Sequence, residues 1–117
     1  MILTRELVEF AVSEFKLGAR QEDGQPLRVH LENLFRQKGV MPKLLEEAPD
    51  CPEMGEYLWD WFIEMHADRR SGVNGAERFS AADMLDWCWA SGNTLELWER
   101  KALRLIDSAW IKAQKDD

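Results

Sequence analysis

The sequence predicts an all-α fold: a compact bundle of four to six helices joined by short loops, with no sheet. Three observations predict it. Apolar residues recur at spacings of three and four along nearly the whole chain, which is the period of an amphipathic helix. No alternating apolar and polar run of useful length appears. Glycine and proline interrupt the apolar pattern at short intervals, which favours short connections and mostly antiparallel neighbours. At 117 residues the chain reads as one helical domain, 1–117, with an N-terminal helical subregion at 1–48 and an aromatic-rich core at 52–114.

The elements follow in order. Thr4 is placed to cap a first helix, whose apolar stripe is Leu7, Val8, Ala11 and Phe15. That helix ends near Gly18, and Gln21–Gln25 is a polar loop containing a glycine. Pro26 suits the first turn of a second helix, in which Leu27, Leu31, Leu34 and Phe35 share a face. Gly39 terminates it. A helical turn at Pro42–Glu47 precedes a break at Ala48–Cys51, bracketed by Pro49 and Pro52. The central helix runs from about Glu53 to Arg69. Tyr57, Leu58, Trp59, Trp61, Phe62, Ile63 and Met65 leave it only a narrow polar stripe of Glu53, Glu56, Asp60, Glu64 and Asp68. A helix so apolar is enclosed by neighbours or covered by a partner.

Arg70–Phe79, with Gly72 and Gly75, reads as a loop. Ser80 and Asp83 form a capping box with Asp in place of the usual Glu. The helix they open ends at about Ala90, before Gly92, with Met84, Trp87 and Cys88 on one face and Leu85 and Trp89 beside them. Asn93 or Thr94 caps the last helix. Its expected stripe is Leu95, Trp98, Ala102, Leu105, Ala109 and Ala113. The tail Lys115–Asp117 is expected to fray.

Charge narrows the function. The formal net charge is −7, which argues against nucleic acid and against an anionic membrane surface. Residues 49–117 carry fourteen acidic and eight basic side chains, and no Lys or Arg lies between Lys43 and Arg69. Such a field could steer a basic partner, although a solvated acidic face is the commoner meaning. No apolar stretch approaches a membrane span. No signal-peptide pattern opens the chain, so Cys51 and Cys88 are expected as free thiols in a reducing cytoplasm, Cys88 as a small buried hydrophobe.

Chemistry finds little support. Hydrolase, P-loop and dinucleotide motifs are absent. The two histidines, His30 and His66, lack the helical partners that a metal site requires, since Ile63 and Phe62 precede His66 by three and four. A histidine near a helix C-terminus more often meets the dipole. The acidic stripe on the central helix faces water, so its acidities stay ordinary and acid–base catalysis is not expected. No catalytic residue, metal or cofactor is assigned.

The tryptophans carry the functional reading. All six lie between Tyr57 and Trp110: Trp59, Trp61, Trp87, Trp89, Trp98 and Trp110. Most fill the core, as Phe62 and Leu105 should. Trp59 and Trp61 are about 200° apart on a helix, as are Trp87 and Trp89, so both members of a pair cannot face one core. The surplus could form a groove for a partner helix or a small-molecule pocket, and exposed tryptophan is a common binding anchor.

Residues 52–107 resemble the tail assembly chaperones of tailed bacteriophages. The resemblance rests on PEMGEYLWDWFIEMHADRRSG, then SAADMLDWCW, then LELWERKALRLID. The matching positions are Leu58, Trp59, Phe62, Arg69, Gly72, Trp87, Glu99 and Asp107. Residues 1–48 have no counterpart in it. The resemblance implies a non-enzymatic chaperone in the host cell cytoplasm that keeps the tape measure protein soluble during tail morphogenesis. It also implies a structural ion pair between Arg69 and Asp107. From the aromatic helices, Trp59, Trp61, Phe62, Trp89 and Trp110 are expected as partner anchors. Self-association is a further way to cover them. A regulatory or inhibitory module docking on a host protein is the alternative, and an enzyme built around His66 is a second.

Overall fold

A computed structural model describes residues 2–115. Six α-helices account for most of them: α1 (Ile2–Leu17), α2 (Leu27–Lys38), α3 (Lys43–Glu46), α4 (Glu56–Ala67), α5 (Ala81–Ser91) and α6 (Leu97–Lys115). A single 3-10 turn, Glu53–Gly55, leads into α4 behind Pro52.

The expectation of no sheet is corrected at one place. Between α4 and α5, β1 (Ser71–Gly72) and β2 (Gly75–Ala76) pair antiparallel, Ser71 opposite Ala76 and Gly72 opposite Gly75. The apolar pattern carries no trace of strands this short. The chain reverses through Val73 and Asn74, and Gly75 takes the left-handed φ of 101° that closes the turn.

Helix ends follow the local chemistry with two exceptions. Ser80 Oγ accepts from the Asp83 N–H, and the Asp83 carboxylate accepts from the Ser80 N–H, completing the capping box of α5. Gly39 and Gly92 close α2 and α5 with φ of 72° and 75°. The first exception is Thr4, which lies inside α1 because the helix already begins at Ile2. The second is α6, which Asn93 and Thr94 do not cap. The Glu99 carboxylate reaches back to the Glu96 N–H at 2.7 Å, so the cap lies two residues further on. Lys115 still belongs to α6; Asp116 and Asp117 lie outside the described residues.

The core is built by α1, α4 and α6, with Phe79 and Met84 added from the segments between them. Phe62, Leu7, Leu17, Leu58, Leu103 and Ile106 are its largest fully buried side chains, each contributing about 1.5–3 kcal/mol by burial. The three helices run in the same sense. Tyr57 meets Glu99 near the start of α4 and α6, and His66 meets Trp110 towards their ends. Likewise Gly55 lies beside Leu3 and Leu7, while Phe15 reaches Trp59 and Phe62. The helix α5 returns antiparallel to α4, with Arg70 beside Asp83 in its first turn and Trp61 beside Trp87 further along. The expected antiparallel neighbours are therefore mostly absent, because long crossovers and not tight turns join the three core helices.

Two apolar faces depart from the sequence reading. On α6 the buried side chains are Glu99, Ala102, Leu103, Ile106, Asp107 and Ile111, whereas Leu105 is half exposed at 52 %. The stripe is rotated because two acidic residues with dedicated partners occupy the core face. On α2 no residue is buried, and Leu34 and Phe35 lie open. Its link to α1 is polar: Arg28 pairs with Glu14 at 2.9 Å. With α2 and α3 outside the core, the outline is elongated, 49 × 36 × 21 Å. The radius of gyration, 15.8 Å, exceeds the roughly 13 Å of a compact domain of this size.

Candidate partner-binding site

Five of the six tryptophans are partly buried, each against a different wall. Trp59 leaves α4 towards α1, edge-on to Phe10 at 5.0 Å and stacked on Phe62 at 5.6 Å. Trp61, on the other side of α4, meets Tyr57 and the α5 residue Trp87. The Trp87 indole N–H donates to Glu64 at 3.1 Å, so one member of the acidic stripe has an internal task. Trp98 donates to Glu96 at 3.0 Å. Trp110 closes the far end. Trp89 differs from all of these: it is 88 % exposed.

Below Trp110 lies an aromatic and ionic hub centred on Arg69. Its guanidinium sits between two rings, 4.1 Å from the centroid of Phe79 and 4.2 Å from that of Trp110. Nε donates to His66 Nδ1 at 2.9 Å, and Nη1 donates to the Glu77 carbonyl at 2.8 Å. Nη2 contacts Asp107 Oδ1 at 2.6 Å, both side chains being 5 % exposed. This is a charge–charge contact without an aligned N–H. Asp107 Oδ2 accepts from the Phe79 N–H at 2.9 Å. The structure thus brings Arg69 and Asp107 together, and through them ties the β1–β2 hairpin and Phe79 to α4 and α6.

Three titrating groups feel this packing. Burial, and then the neighbouring guanidinium, hold His66 below the ordinary histidine range, with Asp107 pulling the other way. As acceptor from Arg69, its Nδ1 carries no proton. At the other end of α4, Tyr57 donates to Glu99 at 2.7 Å; burial and that carboxylate push the phenol up. Burial, and then Glu56, raises the Cys51 thiol, which makes it less reactive. Among the described residues no group of three or more His, Cys, Asp or Glu side chains is placed to hold a metal ion. No described helix is long and apolar enough to cross a membrane.

An open apolar surface lies between α5 and α6; another lies where Val12, Phe15, Leu27 and Leu44 meet Ala109 and Ala113. A groove of about 640 Å³ is floored by Met84, Cys88 and Leu95 and walled by Leu85 and Leu97. Leu85 and Leu97 are 70 % and 58 % exposed. Trp89 follows Leu85 one turn along α5, and Leu97, Lys101 and Leu105 form a row on α6. Arg100, Lys101 and Arg104 line the groove's rim.

Of the five expected anchors, Trp89 is the exposed one; it lies one turn beyond the groove wall Leu85 on α5 and is not among the residues that line the groove. Trp59, Trp61 and Trp110 offer only the outer parts of their rings. Phe62 must be withdrawn as an anchor: it has no exposed surface, because it sits where α1 and α4 meet Phe79. Cys88 is half-buried and lines the groove instead of the core. Sequence reasoning missed Leu97, Leu105 and the basic rim. The available signal was the placement of Leu97, Lys101 and Leu105 at i, i+4, i+8, beside a helix already carrying Leu85 and Trp89 at i, i+4.

Compared with known proteins, residues 34–112 match the model of a family described as phage tail assembly chaperone. The match spans about two thirds of the chain. It is wider than the resemblance at 52–107 and takes in part of the N-terminal subregion, α3 included. No curated protein and no solved structure matches the chain.

Proposed function

Because the chain belongs to the phage tail assembly chaperone family, we propose that it shields an apolar helical segment of the tape measure protein, without catalysis, on the open face of α5 and α6. Membership of the family implies protein partners in tail assembly. The finer reading is supported by one observation above all: the walls of an apolar groove, Leu85 and Leu97, are exposed, and so is Trp89, 88 % exposed one turn beyond Leu85 on the same helix. Scattered apolar residues on a surface need no explanation, but an apolar groove with exposed walls and an exposed indole one turn along the same helix is the make-up of a contact site. Trp61 and Trp87 tie α5 to α4, and Tyr57 with Glu99 and His66 with Trp110 tie α6 to α4, so each wall of the groove is anchored to α4 before the client arrives. The acidic exterior keeps the loaded complex dispersed in the host cytoplasm.

Co-expression with the tape measure protein of the same phage tests this reading. The wild-type chain is expected to keep the tape measure protein soluble and to co-purify with it, and Trp89→Ala combined with Leu85→Ser to lose most of that effect. A tape measure protein that stays insoluble and uncaptured would refute the proposal. So would capture of a host protein in its place, which would favour an inhibitory module.

A further inference from the structure

Resting on that reading, we infer that the α5–α6 groove selects an amphipathic helix whose flanks carry Asp and Glu beside its apolar stripe. The argument is one of charge placement. The chain as a whole is strongly acidic, at −7. Yet Arg100, Lys101 and Arg104 line this groove, all three exposed, and no acidic residue is among its lining. Among the described residues none of the three has an acidic side chain within ion-pair distance, in contrast to Arg28, Arg69 and Arg70. The apolar floor gives affinity for any greasy helix. The unpaired cations add a preference, because a helix with basic flanks would bring like charges together over a desolvated floor. A helix laid in the groove places its apolar residues at i, i+3, i+4 and i+7 on Met84, Cys88 and Leu95, and its flanking positions over the rim. A client with acidic flanks is the reverse of what the net charge alone suggests.

Two labelled amphipathic peptides test the inference against the full chain. They share one leucine stripe and differ only in having Glu or Lys at the flanking positions. Fluorescence anisotropy is expected to show the Glu peptide binding at least about tenfold more tightly, since each exposed pair contributes up to about fivefold. Added salt should narrow the gap. Arg100→Glu, Lys101→Glu and Arg104→Glu together should invert the preference, and Arg104→Glu alone should narrow it if the triple variant does not fold. Equal binding of the two peptides, binding of neither, or a preference untouched by charge reversal would each overturn the inference. The co-expression assay separates it from the function it rests on. Tape measure protein captured equally by wild type and triple variant removes the groove's charge preference and leaves the chaperone standing. No capture by either removes the chaperone reading itself.

Discussion

Replacing Asp107 by Ala should be among the most damaging single changes outside the apolar core. The carboxylate is 5 % exposed and meets two groups that water cannot reach instead: the Arg69 guanidinium at 2.6 Å and the Phe79 N–H at 2.9 Å. Truncation leaves a buried cation unpaired, a change that costs about 3–5 kcal/mol. A domain of this kind is stable by only about 5–15 kcal/mol. At about 4 °C per kcal/mol, the melting temperature should fall by roughly 12–20 °C. Asp107→Asn divides the effect. It keeps an acceptor for Phe79 but no charge for Arg69, so its loss should be smaller by about 1–3 kcal/mol, the cost of the orphaned N–H. Urea unfolding of the three proteins, followed by circular dichroism, measures both differences. If Asp107→Ala loses less than about 1 kcal/mol, or Asp107→Asn matches it, the hub does not hold the hairpin on α6 as described.

Further outcomes follow from the same contacts. Tyr57→Phe leaves Glu99, 7 % exposed, with the Glu96 N–H but without its phenol donor, and should cost about 1–3 kcal/mol in urea unfolding. His66 lies below its ordinary value in the fold, so the folded chain binds its proton less readily than the unfolded chain does. Its contribution to stability is therefore complete above about pH 6.5 and declines as pH falls towards the lowered folded value. His66→Gln should flatten that part of the stability profile; an unchanged slope would show that the ring does not titrate as the packing requires. Trp89→Ala should leave stability within about 0.5 kcal/mol, its side chain being exposed, while client affinity falls by about 2 kcal/mol, roughly thirtyfold.

What the sequence made legible was local. The Ser80–Asp83 box, the glycines that end α2 and α5, and the crowding of aromatics on α4 all follow from residues within a turn of one another. What it hid depends on partners distant in the chain. Glu99 and Asp107 look like solvent residues until Tyr57 and Arg69, 42 and 38 positions earlier, are seen beside them. Counting them as polar turned the α6 stripe by the wrong amount and sent Leu105 inward. The parallel course of α1, α4 and α6 is hidden for the same reason, since helical periodicity carries no direction. On α2 the leucine stripe is real but open, because amphipathicity marks a face that wants covering and does not say that this chain covers it. The site was half visible. Trp89 stands out from its pairing with Trp87, whereas Phe62, in the same aromatic run, turns inward.

Hydrogen–deuterium exchange of the chain, free and mixed with the tape measure protein proposed as its client, tests the central claim most directly. The account predicts new protection concentrated in residues 81–105, over α5 and the first half of α6, with α1 and α4 unchanged. Protection confined to α2 and α3, with the α5–α6 segment exchanging as in the free protein, would contradict it.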